Sequence, residues 1–111
     1  MPARGELLTG TLDLLVLKAL QLGDTHGWGI MDRIRLTSGD VLQVNQGSLY
    51  PALYRLKRQG LIGSAWAVTE NNRRARYYLL TARGRDRLAA ERQEWKRLSE
   101  AVNRVLATTT A

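Results

Sequence analysis

A small, mostly α fold of the α+β kind is predicted by three features of the chain. Apolar residues recur at spacings of three and four in the first half, two runs rich in Ile, Trp, Val and Tyr follow, and a long last segment carries a heptad-like stripe. At 111 residues the chain allows one domain with one core, or a core shared with a second copy. A hydrophobic fraction of 44% argues against disorder.

The first helix is expected from about Leu7 to Leu22, with Leu8, Leu12, Leu15, Ala19 and Leu22 on its apolar stripe and Gly23-Asp24 as its stop. Arg4 precedes this most apolar stretch, but Asp13 and Lys18 interrupt it, and no uncharged run approaches the roughly 18 residues of a membrane span. No A-x-A cleavage site follows, so a buried helix of a cytoplasmic protein is expected. A second helix, roughly Gly27 to Thr37, offers Ile30, Met31 and Ile34 to the core. His26, in the turn before it, reads as a turn or capping residue.

After Ser38-Gly39-Asp40 and the apolar Val41-Leu42-Gln43-Val44, a third helix runs from about Asn45 to Gln59, closed by Gly60. Asn45 can cap it, with Val44 and Leu49 as a hydrophobic staple; Ser48 is a rival cap, because Pro51 fits best within a first turn. Either way Leu49, Leu53 and Leu56 form the buried stripe.

Two strands, Leu61 to Val68 and Ala75 to Leu80, flank a polar turn in which Asn71-Asn72 suits the reversal. Trp66 reads as packing under this hairpin, and at least one of Tyr77 and Tyr78 as core. Thr81 caps a last helix, about Ala82 to Ala107, roughly 39 Å long. Its Leu88, Trp95, Leu98, Val102 and Val105 have the a/d spacing of a helix–helix seam, and a two-fold interface would let this stripe meet itself.

The charge is placed unevenly. The net charge is +7 and the pI about 10.6, which calls for a polyanionic partner. Residues 1–54 carry four basic and five acidic side chains; residues 55–87 carry nine basic and two acidic ones. That excess falls on the third helix and the hairpin. On the third helix, Gly47, Pro51, Tyr54, Arg55 and Arg58 lie opposite the leucine stripe, with Ser48, Tyr50 and Lys57 on its flanks. Hydroxyls and guanidinium groups beside a glycine suit close approach to phosphates and base edges. Gln46 at the helix start, Asn72 at the turn, and Arg73, Arg74 and Arg76 on the hairpin complete the candidate DNA-binding set.

Three helices, a hairpin with a basic tip and a long helix are the order of a winged helix-turn-helix with an appended dimerisation helix. Residues 1–81 are expected to form the DNA-binding domain and residues 82–111 the dimerisation helix. With no cysteine and a single histidine, the chain lacks a thiolate site, a metal-ligand set or an acid–base constellation, so neither catalysis nor a cofactor is expected. Ser48 has no neighbouring base to make it a nucleophile. A winged-helix protein-interaction module is the rival reading. A peripheral membrane binder is disfavoured, because no helix pairs a basic face with an exposed apolar one.

Four blocks of the chain resemble the PadR family of bacterial transcriptional regulators: GTLDLLVLKAL (Gly10 to Leu20), HGWGIMDRI (His26 to Ile34), QGSLYPALYRLKRQGLI (Gln46 to Ile62) and NNRRARYYLLTARGRDRL (Asn71 to Leu88). The resemblance implies a dimeric repressor on double-stranded DNA, in which Ser48 and Tyr50 would turn their hydroxyls to DNA and Arg73, Arg74 and Arg76 would form a basic wing. In some members a tryptophan of the last helix lines a dimer cleft that takes planar aromatic ligands, and Trp95 is the candidate here for contact with such an effector. Two departures stand out. Trp28 occupies a place where tyrosine is commoner, and the single C-terminal helix matches the small subgroup of the family.

Overall fold

The computed structural model describes residues 4–110, with side chains from Gly10 onward. Its elements are α1 (Arg4–Gln21), β1 (Thr25–His26), α2 (Gly27–Thr37), α3 (Gln46–Arg58), β2 (Ile62–Val68), β3 (Arg74–Leu80) and α4 (Ala82–Ala107). The three strands form one antiparallel sheet in the order β1-β3-β2. The mostly α winged-helix architecture expected from the sequence is the one observed. The two-residue β1 was not foreseen, being too short to show a period.

α1 packs against α2, α3, α4 and β3, so it is enclosed on several sides. Its most deeply buried residues are Val16, Leu17, Ala19 and Leu20, while Leu12 and Leu15 are only partly covered and Leu22 is exposed. The expected stripe was therefore rotated. A helix that is apolar nearly all round gives no single face for periodicity to select. Leu8 of that stripe lies outside the described side chains, as residues 1–3 and 111 of the two expected units lie outside the described residues. The C-terminal carbonyls of α1 are met by Arg33 of α2, whose guanidinium donates to Ala19 O at 2.9 Å and to Gly23 O.

α2 starts at His26, whose Nδ1 accepts from the Gly29 amide at 3.1 Å, so the histidine is an N-cap. Ile30, Met31 and Ile34 are buried as expected. The choice of cap on α3 falls to Asn45, whose Oδ1 accepts from the Ser48 amide at 2.8 Å. Pro51 consequently sits inside α3 rather than in its first turn. It removes the amide that would bond the Gly47 carbonyl, on a face where water can reach that carbonyl.

α4 is fastened to the end of α3 at one point. Thr81 caps α4 by accepting from the Gly84 amide at 3.0 Å and also donates its hydroxyl to Gly60 O at 2.8 Å. Gly84 lies so close to the Leu61 carbonyl that a Cβ there would collide with backbone. Leu88, expected in a dimer seam, is 1% exposed within the chain's own core. The expectation is corrected: the first two turns of α4 close the domain, and a heptad count cannot tell a seam from a core. Replacing Gly84 with alanine should cost about 2 kcal/mol or more, because the obstacle is backbone and cannot rotate away. Urea unfolding of Gly84→Ala against the parent checks this, and an unchanged midpoint would refute the close contact.

Candidate nucleic-acid interface

Burial fixes which way α3 faces. Leu49, Ala52, Leu53 and Leu56 are at most 2% exposed, so the helix is anchored along that line. Gln46, Gly47, Ser48, Tyr50, Pro51, Tyr54, Lys57 and Arg58 are all exposed on the remaining surface. Tyr50, Tyr54 and Lys57 lie on the side of α3 that meets the hairpin. With Leu53, Arg58, Arg76 and Tyr78 they line a groove of about 540 Å³. Arg58 lies over the Tyr54 ring, 5.8 Å from its centroid. Tyr50 leans on α2, where the absence of a side chain at Gly27 makes room: a Cβ there would lie 2.5 Å from the Tyr50 hydroxyl.

Arg55 departs from the expected placement. It sits on the flank turned to α1 and pairs with Asp13 at 2.8 Å, half-buried between the two helices. Helical rotation measured from the three leucines alone put it outward. The fully buried Ala52 moves the centre of the buried stripe and leaves Arg55 at its edge. Burial raises the pKa of Asp13 above the ordinary carboxylate value, against the opposing hydrogen bond and charge of Arg55.

The hairpin is the second wall. Its turn is tied by the Thr69 amide donating to Arg73 O at 2.7 Å and the Arg73 amide donating to Thr69 Oγ1 at 3.2 Å. Asn72 adopts φ 58°, a left-handed conformation that asparagine tolerates. In the register, Ile62 opposes Leu80, Ser64 opposes Tyr78, Trp66 opposes Arg76 and Val68 opposes Arg74. These pairs share one face of the ribbon, which is buried at Ile62 and Leu80 and cationic at its far end. Tyr78 is core, as one of the two tyrosines had to be, and Tyr77 instead packs edge-on to His26. Burial and nearby Tyr50 raise the pKa of the Tyr78 hydroxyl, against a smaller pull from Arg76.

Trp66 does not pack beneath the hairpin. It is 55% exposed, with the guanidinium groups of Arg74 and Arg76 at 4.9 and 5.5 Å from its ring. It faces a second groove, about 840 Å³, shared with His26, Trp28, Tyr50, Asn71 and Arg73. No carboxylate lines either groove among the described residues. Trp66 and Trp28 border this groove and stand outside the candidate set drawn from the sequence. Strand parity held the signal for the first, since Trp66 opposes a residue already placed on the basic face.

At the opposite end, Trp95, Leu98, Val102, Val105 and Leu106 of α4 are exposed together. Trp95 and Leu98 border a groove of about 170 Å³ against Gly10, Thr11 and Leu14 of α1. Among the described residues no helix is long and apolar enough to cross a membrane, and no group of three or more His, Asp or Glu could hold a metal ion.

The architecture and its basic face define a winged helix-turn-helix of the DNA-binding type. Residues 16–90 match the model of the transcriptional regulator PadR-like family, and the chain belongs to that family. Its fold is similar to that of a transcriptional regulator from Clostridium thermocellum, at 27% identity and a TM-score of 0.80, over 89% of this chain and 96% of that one. A PadR family transcriptional regulator from Eggerthella lenta is 30% identical with a TM-score of 0.77, over 94% of this chain and 88% of the other. An uncharacterized 37.1 kDa protein in a transposon of Streptomyces fradiae is 37% identical over 91 residues, 82% of this chain but only 25% of that protein. The chain is thus a transcription regulator by family, and its neighbours are regulators rather than enzymes.

The raised pKa of Asp13 predicts a pH signature. The native state holds that proton more tightly than the unfolded chain, so the group's contribution to stability is lost as pH rises through and above the usual carboxylate range. Asp13→Asn should therefore gain stability relative to the parent between pH 4 and pH 7. Urea midpoints at the two values read the difference, and a constant gap would contradict the shift.

Proposed function

We propose that the chain is a repressor that binds an inverted-repeat operator as a homodimer. Each α3 enters a major groove, and the wing arginines hold the flanking backbone or minor groove. The observation that carries this reading is the shared basic and aromatic face of α3 and the hairpin, on which Tyr54, Lys57, Arg58 and Arg76 meet around one groove with no carboxylate in it. Gln46, Gly47, Ser48, Tyr50 and Pro51 extend it along α3, and Asn72, Arg73 and Arg74 along the wing. Arg55 takes a supporting place, since its guanidinium is already engaged by Asp13.

Residues 82–111 are read as the dimerisation helix, joined to the reading head of residues 1–81 through the turns that carry Gly84 and Leu88. The exposed stripe of Trp95, Leu98, Val102 and Val105 supports this, because a monomer that left it in water would forgo its burial. Trp95 is assigned to that seam rather than to an aromatic effector. It borders Leu98 of the same stripe across a groove of about 170 Å³, and a second groove at Trp95, about 490 Å³, is lined by Ala89, Arg92, Gln93 and Lys96 with no other aromatic ring. Two reading heads about 34 Å apart would match half-sites one helical turn apart.

Fluorescence anisotropy with duplex from the chain's own upstream region, against a scrambled duplex and across a salt series, tests the reading. Binding tighter to the native duplex by about a thousandfold is expected. Equal, weak binding to both would mean a basic surface without readout, and binding to neither would favour the protein-interaction module. Tyr54→Ala and Arg58→Ala should reduce the preference for the native duplex, by about 1–3 kcal/mol each. Arg74→Ala should weaken both duplexes alike and lower the salt slope by about one. Val102→Glu should yield monomers in sedimentation and abolish tight operator binding while leaving the fold intact; a dimeric variant would contradict the seam.

A further inference from the structure

We propose that Trp66 is the positioning residue of the wing: its ring holds the Arg74 and Arg76 guanidinium groups in place before any duplex arrives. The inference rests on the DNA-binding reading above and assigns a role within that face. Arginine carries several free torsions, and ordering such a side chain at an interface opposes binding. At an exposed hairpin tip nothing would ordinarily restrict them. Here both guanidinium groups lie over one indole, at 4.9 Å for Arg74 and 5.5 Å for Arg76.

The register explains how one ring serves two cations. Trp66 lies directly opposite Arg76, and Arg74 is the diagonal neighbour two residues earlier on the same face of β3. Arg76 has a second restraint, since its Nε donates to Ser64 Oγ at 3.1 Å, one pair nearer the core. Ser64 in turn opposes buried Tyr78. The two arginines are thus referred, through Trp66 and Ser64, to the part of the sheet that α3 packs against. Neither has a carboxylate partner among the described ion pairs, so their charge is left for a phosphate. An indole restrains a cation without neutralising it, which an aspartate in its place would do.

The test uses Trp66→Leu and Trp66→Phe in the whole chain, with thermal melts to confirm folding. By proton NMR of the protein alone, side-chain protons of Arg74 and Arg76 should show ring-current shifts that vanish in Trp66→Leu and partly persist in Trp66→Phe. Affinity for the upstream duplex should fall about tenfold in Trp66→Leu and recover in part in Trp66→Phe. Arg74→Ala should cost less in the Trp66→Leu background than in the parent, as expected for residues acting as a unit. Unshifted arginines in the parent, unchanged affinity of Trp66→Leu, or additive losses would each overturn the role. If the parent stacks its arginines but binds no duplex, the DNA-binding reading falls and this role falls with it. If the parent binds and Trp66→Leu binds equally well, only the role of Trp66 falls.

Discussion

Burial of the line Leu49, Ala52, Leu53 and Leu56 on α3 is the constraint from which the rest of the surface follows. Each fully buried leucine is stabilised by about 1.5–3 kcal/mol relative to exposure. Rotating α3 by a single residue would bring part of that line into water and drive Tyr50 or Lys57 into the core. The outward direction of the polar side chains is therefore set by the apolar ones behind them. Asn45 fixes where the helix begins, and the contact of Thr81 and Gly84 with Gly60 and Leu61 fixes where it hands over to the sheet and α4.

The hairpin repeats the arrangement in a different geometry. One face of the ribbon passes from Ile62 and Leu80 in the core, through Ser64 and Tyr78, to Trp66 with Arg74 and Arg76 in solvent. Because strand side chains alternate, a residue on this face at the buried end commits every second residue to it at the open end. Arg76 of the wing therefore borders the same groove as Lys57 and Arg58 of α3, and Arg73 and Arg74 line the neighbouring groove, which shares Tyr50, Arg76 and Tyr78 with it. In a region with so few carboxylates, this is a surface on which a polyanion would release counterions.

Much of this was legible from the sequence, and the misses have physical causes. The limits of α2 and α4 matched expectation, because each has a capping residue at its start and a clear amphipathic period. The rotation of α1 escapes periodicity, since a helix packed on several sides carries leucines around most of its circumference. Leu88 fits a heptad and a core position equally well, and only packing separates the two. Arg55 was misplaced by counting leucines and overlooking Ala52, a small residue that is as deeply buried as they are. Trp66 reads as packing under the hairpin from its strand alone, and only the pairing with Arg76 brings it to the basic face. In these last three cases local pattern was ambiguous and the tertiary neighbour decided.

On the proposed reading, α3 and the wing meet DNA as a single face while the second half of α4 meets a second copy. Amide hydrogen exchange with and without the upstream duplex tests that arrangement most directly. Added protection over residues 46–58 and 69–76 together, with the second half of α4 unchanged, is the predicted result. Protection confined to α4, or to α3 without the wing, would contradict it.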